Sequence, residues 1–181
     1  MKSNLILPAF ASLALALSAC GEKSVETARP ADPRLEALFV AAEPAGAISV
    51  IEARQKPEPG TEVTVVGRVA GAMEPFSKDF ATLVLADNTV MTCEREPGDT
   101  CETPWDACCV EPGVLAASRL SVQVNGADGK PLDATLKGVK GLKELDQIVI
   151  RGKVAPGSTA ENLIVEASGI YRRPVEIGAS R

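Results

Sequence analysis

The chain has 181 residues, with 19 Lys and Arg against 24 Asp and Glu, no histidine, five cysteines, 3% aromatic residues and a pI near 4.9. Without an imidazole there is no Ser-His-Asp or Cys-His nucleophile and no histidine metal ligand; a general base acting near neutrality would be a shifted carboxylate or lysine. The acidic balance argues against nucleic-acid binding, which rests on accumulated Lys and Arg, and the length fits one domain with additions.

At the amino terminus Lys2 precedes an apolar run, Leu5-Ile6-Leu7 and then Phe10 to Leu17, that ends in Ser18 and Ala19 just before Cys20. This is the pattern of a signal peptide over residues 1–19, too short in its apolar part to span a bilayer, which takes about 20 apolar residues. Leu17-Ser18-Ala19-Cys20 resembles a bacterial lipobox. The resemblance implies cleavage before Cys20 and acylation (palmitate-type chains) of that residue. Two or three acyl chains at about 0.8 kcal/mol per buried CH₂ anchor a protein stably, where one chain is marginal. Gly21 is not the Asp that retains such lipoproteins at the inner membrane, so the expected location is the outer membrane, facing the periplasm. Cleavage would leave 18 basic and 24 acidic residues, a formal charge of −6.

Residues 20–33 are polar and rich in Ala, Glu, Thr and Pro, as suits a lipidated tether. A helical lead-in is expected over 34–59. Asp32 precedes Pro33, and Leu35, Leu38, Phe39 and Ala42 have helical spacing; Ser49 with Glu52 matches a capping box, beside Ile48 and Ile51. Pro57, Pro59 and Gly60 end this part. Strand patterns follow: Val63, Val65, Gly67 and Val69 alternate within 62–71, and 80–85 is closed by Asp87-Asn88. Residues 89–92 form a third piece that runs into the first late cysteine. An irregular stretch over 94–117 precedes a strand at 120–124. Asp128-Gly129 is a hairpin-type turn leading to 132–136, and 138–145 suggests a short helical turn. Residues 147–154 and 162–171 are β-rich, and 174–181 read as a tail.

Val65-Val66-Gly67-Arg68-Val69, Phe80-Ala81-Thr82-Leu83-Val84-Leu85-Ala86-Asp87, Ile148-Val149-Ile150-Arg151-Gly152-Lys153-Val154 and Leu163-Ile164-Val165-Glu166-Ala167 together resemble OB-fold domains of the anticodon-binding type. The resemblance covers about 60–173. It implies a mainly β architecture, an OB-fold-like five-stranded barrel whose first strand bends at Gly67 to pair on two sides. Fold does not settle function. OB domains that hold single strands stack bases on aromatic side chains in a basic groove. Here the mature aromatics are only Phe39, Phe76, Phe80, Trp105 and Tyr171, and the net charge of +3 over 119–153 reads as a solvated face. A nucleic-acid partner is therefore not expected.

The unusual feature is an insertion over 93–117. Cys93, Cys101, Cys108 and Cys109 fall within seventeen positions as C-x7-C-x6-C-C, among Glu94, Glu96, Asp99, Glu102, Asp106 and Glu111 with Arg95 the one cation. Gly98-Asp99-Thr100-Cys101 and Thr103-Pro104-Trp105-Asp106-x-Cys108-Cys109 resemble uncharacterised lipoproteins of planctomycete-like genomes with a Pro-Trp-Asp-x-Cys-Cys signature, as does Ala167-Ser168-Gly169-Ile170-Tyr171. That likeness supplies no activity. The favoured reading of the cysteines is two disulfides pinning a loop poor in apolar residues: the compartment is oxidising, and closing about fifteen residues stabilises by roughly 3 kcal/mol. A direct Cys108 to Cys109 bond would close a strained ring, so each is expected to pair with Cys93 or Cys101, in an order left open. The alternative is a thiolate site for zinc, copper(I) or an iron–sulfur cluster, without the usual C-x2-C knuckles. A redox role has no C-x-x-C, and the carboxylates would raise thiol pKa values. Calcium at Asp99, Glu102 and Asp106 lacks the D-x-D-x-D-G register. Trp105 is expected to cover a disulfide or to stand exposed as an anchor for a protein or glycan, with Asp99, Glu102 and Asp106 beside it. The insertion is expected to form or plug a barrel mouth. Neither paired carboxylates, a P-loop nor Gly-x-Ser-x-Gly supports an enzyme. The expectation is a non-enzymatic, lipid-anchored binding or structural module of the cell envelope with no favoured cofactor. A metal-binding or electron-handling protein ranks second, and nucleic-acid or oligosaccharide binding third.

Overall fold

The structure is a computed structural model that describes residues 32–55, 58–159 and 161–174. The signal peptide, the lipobox with Cys20, residues 21–31 of the tether and residues 175–181 of the tail lie outside the described residues.

Asp32 caps the helix α1, Pro33–Glu36: its carboxylate accepts from Arg34 N at 2.9 Å, and proline opens the first turn. The helix is a single turn, shorter than the apolar spacing suggested, because the chain then runs along the barrel. Val40 N donates to Ile170 O and Ile170 N to Leu38 O. A two-residue strand β1, Ile48–Ser49, leads directly into α2, Val50–Ala53, where Ser49 Oγ accepts from Glu52 N at 3.1 Å as the capping-box spacing predicts.

Five longer strands follow: β2 (Glu62–Val69), β3 (Thr82–Ala86), β4 (Arg119–Gln123), β5 (Gln147–Val154) and β6 (Ile164–Arg172). Their order is β2-β3-β4-β6-β5, and β5 pairs back onto β2, closing a mixed five-stranded barrel in which only β4 and β6 run parallel. β1 adds to β2 in parallel, with Ile48 opposite Val65. This OB-fold-like barrel is the expected fold class. Closure requires β2 to serve two neighbours. It pairs with β5 from Glu62 to Arg68 and with β3 at Arg68 and Val69. At the crossing, a Cβ on Gly67 would lie 2.5 Å from Ala86 O, so only glycine lets the two backbones approach this closely. Gly152 has the same role where β5 bulges against β6: a Cβ there would meet Glu166 O at 2.2 Å.

Alternation fills the barrel. Val65 and Val69 from β2, Leu83 and Leu85 from β3, Leu120 and Val122 from β4, Ile148 and Ile150 from β5, and Val165 and Ile170 from β6 are all buried in one cluster. Leu35 of α1 and Val50 of α2 join this core from the lead-in.

Three local expectations are corrected. Residues 89–92 are not a strand: Asp87 Oδ1 accepts from Thr89 N at 3.0 Å and Thr89 Oγ1 at 2.8 Å, turning the chain, and Arg95 Nη1 donates to the carbonyls of Asn88 and Val90. Residues 132–136 do not form a strand either. Asp128-Gly129 does make the turn, with Gly126 N donating to Lys130 O, but Pro131 lacks an N–H and ladder pairing is confined to an isolated bridge between Asn125 and Pro131. Leu132 and Leu136 instead drop into the core. The stretch 94–117 is not wholly irregular, since it ends in α3, Pro112–Ala117. Glu111 caps it by accepting from Val114 N at 2.9 Å. The 138–145 segment does hold a short helical turn, Val139–Gly141, against which α1 lies with Lys140 3.0 Å from Glu36.

Candidate functional site

The cysteine-bearing insertion joins β3 to β4 and packs on the end of the barrel where β2 leaves β3 and β5 begins. It has a small core of its own: Ala70, Ala86, Val90 and Ala107 are buried, with Trp105, Val110, Leu115 and Leu145 packed around them. Backbone bonds tie it further, from Cys93 N to Asp106 O at 2.8 Å, Glu94 N to Pro104 O at 2.9 Å and Gly71 N to Trp105 O at 2.9 Å. Arg68, read in the sequence only as part of a strand motif, clamps the loop to β2: its guanidinium donates to Thr92 Oγ1 at 3.2 Å and Glu94 Oε1 at 2.5 Å.

This frame gathers the thiols. The first of them, Cys93, opens a 3₁₀ turn and is buried, whereas Cys101, Cys108 and Cys109 are exposed. The sulfur of Cys93 lies 3.7 Å from that of Cys108, which lies 3.8 Å from that of Cys109. Cys93, Cys101 and Cys108 place their three sulfurs within 4.8 Å of one another. The thiols are unbonded among the described residues. Two sulfurs each about 2.3 Å from one tetrahedral ion are about 3.8 Å apart, so the 3.7 Å separation matches an edge of a thiolate coordination shell. The trio can hold a metal ion. Met91, two residues before Cys93 and half exposed, shares a cavity of about 70 Å³ with Cys93 and Cys109. The sequence reading overlooked this thioether, and its nearness in the chain to Cys93 was the available sign.

Of the carboxylates around the thiols, Asp99 acts on Cys101 as expected from the sequence. Asp99 beside Cys101 pushes that thiol up to about 12, and burial, together with the hydrogen bond to Cys108, raises Cys93. Asp99 itself accepts from the Cys101 thiol and from Cys101 N, the latter at 2.7 Å, and these hydrogen bonds hold its carboxyl below the ordinary range. Asp106 accepts from Ala107 N at 2.8 Å and is partly covered. Glu102 is exposed. The three carboxylates therefore sit on one loop, with Asp99 against the thiols.

Trp105 is neither a freestanding anchor nor fully enclosed. Its ring packs on the loop's small core while Nε1 donates to Met73 O at 2.9 Å, and it borders a groove of about 350 Å³ with Met73, Phe76 and Lys137. Two carboxylates from outside 119–153 offset part of its basic excess, Glu36 at 3.0 Å from Lys140 and Glu62 at 3.9 Å from Lys153, while Lys137 pairs within the segment with Glu144 at 2.7 Å. No helix among the described residues is long and apolar enough to cross a membrane. Comparison with models of protein families, with curated proteins and with solved structures finds no match, so the barrel and its thiol cluster stand as the chain's own evidence.

Proposed function

We propose that the chain is a lipid-anchored protein of the cell envelope, held in the outer membrane through Cys20, in which an OB-fold-like barrel presents the 93–109 loop as a binding site for a thiophilic metal ion. The protein needs no catalytic machinery for this role. The observation that carries the reading is the convergence of Cys93, Cys101 and Cys108 within 4.8 Å, at a spacing suited to shared thiolate ligation.

A second reading, the stapled acidic loop that docks an envelope protein or glycan, is favoured by the adjacency of Cys93 and Cys108, fifteen residues apart. An S–S bond of about 2.05 Å would need those sulfurs to approach further. The experiment is to purify the full chain in detergent without reductant or chelator, count alkylatable thiols after denaturation and measure bound metals. The metal reading expects four free thiols among residues 93–109 and a thiophilic metal. Four protected cysteines refute it in favour of the staple.

A further inference from the structure

We infer that Cys93, Cys101 and Cys108 form a three-coordinate copper(I) site that takes up and passes on its ion by thiol exchange through Cys109. This rests on the thiophilic-metal reading above.

The number of ligands is the first argument. Three sulfurs gather within 4.8 Å, and among the described residues no fourth cysteine or carboxylate joins that set; the chain has no histidine. Structural zinc sites are almost always closed by four protein ligands, and soft thiolate sets take copper(I) as well as zinc, so it is the set of three that points to copper(I). Three sulfurs about 2.3 Å from an ion in their plane would be about 4.0 Å apart, a small adjustment from the arrangement present. Met91, whose thioether is a soft donor, lines the adjoining cavity of about 70 Å³ together with Glu96 and Asp99.

The second argument is that the loop does not depend on an ion for its shape. Structural zinc sites supply folding energy outright. Here the cluster around Ala70, Ala86 and Ala107, the Trp105 to Met73 bond and the Arg68 clamp hold the loop. An ion can then leave without unfolding it.

Exposure sets the direction of exchange. Cys93 is buried and stays as the fixed ligand, while Cys101 and Cys108 face solvent. Cys109, whose sulfur is 3.8 Å from that of Cys108, is placed to replace it. In the exchange one copper–sulfur bond forms as another breaks: the incoming thiol gives up its proton, the departing thiolate takes one, and copper stays in the +1 state. The donor or acceptor is therefore a copper(I) carrier with thiolate or thioether ligands.

The test uses the full chain in detergent, reduced and anaerobic, loaded with copper(I) and competed with a copper(I)-specific chelator, with zinc(II) and cobalt(II) in parallel. One copper(I) per chain is expected. Cys101→Ser should weaken binding at least about tenfold, whereas Cys109→Ser should keep the affinity within a few-fold and slow transfer to a thiol chelator severalfold. The copper-free chain should keep the Trp105 emission and a cooperative melt. Cobalt(II) bound with a four-thiolate tetrahedral spectrum while copper(I) is lost overturns the copper inference and leaves the metal reading intact. Failure of every ion to bind four reduced thiols overturns both. Unchanged transfer in Cys109→Ser overturns the exchange route, and loss of the folded loop on copper removal overturns its independence from metal.

Discussion

Barrel closure at Gly67 makes a quantitative prediction. In Gly67→Ala the new methyl would lie 2.5 Å from Ala86 O and 2.8 Å from Leu85 Cγ, with Val50 Cγ2 at 3.1 Å. Relieving the first contact to ordinary van der Waals distance takes a shift of about 0.9 Å between two backbones in a close-packed core. These are the residues that join β2 to β3 through the pairs Arg68 with Ala86 and Val69 with Leu85. Overpacking of this kind costs about 1–3 kcal/mol, and each weakened hydrogen bond adds about 0.5–1.5 kcal/mol. Against this, alanine restricts the unfolded chain and returns about 0.4–1 kcal/mol. With one bond weakened the net loss is about 0.5–4 kcal/mol, centred near 2. Gly157→Ala is the control, because its Cβ would meet no heavy atom within 4 Å; it should gain up to about 1 kcal/mol. In urea, with a slope of about 1–3 kcal/mol per molar, the two midpoints should separate by about 1 M or more. A Gly67→Ala midpoint equal to or above that of the parent would refute the close approach as the reason for glycine.

Other outcomes follow from single residues. Burial pushes the Asp87 carboxyl up, but hydrogen bonds from Thr89, Ile51 N and Ser49 outweigh it and hold the group below its ordinary value. Its stabilisation is therefore complete above the unfolded pKa near 3.9 and is lost as pH falls toward the folded one. Asp87→Asn should cost about 1–3 kcal/mol at pH 7, with the gap to the parent narrowing below about pH 4; a gap that widens on acidification contradicts the assignment. Trp105→Ala, half-buried, should cost about 1–3 kcal/mol, less than the 3–5 typical of a fully buried ring, and should speed alkylation of the buried Cys93. Unchanged Cys93 protection would show that the ring does not hold the loop. Cys20→Ala should release the chain from membranes in a fractionation assay, and continued detergent dependence would count against acyl anchoring.

The thiol site was half legible before folding. Spacing along the chain pointed to the four cysteines and their acidic company, but it left staple and metal site as open alternatives, since that choice turns on distances between sulfurs. Arg68 had no visible link to the loop because its partners, Thr92 and Glu94, come from a segment 24 and 26 residues away. The failed strand at 132–136 has a similar cause. Its apolar residues go to the core, but a strand needs a continuous run of partners for its N–H and C=O groups, and pairing here stops at Leu132, which bonds Val124 O and Ala81 N.

By itself the sequence determined the period-two strands, the proline-led start of the first helix and the capping box at Ser49, because each depends on local conformational preference or on alternation along a few residues; the bend at Gly67 and the OB-fold-like class were implied by the resemblance to OB-fold domains. Tertiary structure alone decided that β5 closes onto β2, that the insertion builds its own core against the barrel end, and that Cys93, Cys101 and Cys108 meet while Cys109 stands beside Cys108. Those outcomes are long-range. They depend on which backbones can approach, as at Gly67 against Ala86 and Gly152 against Glu166, and that is a property of the packed barrel rather than of any segment within it.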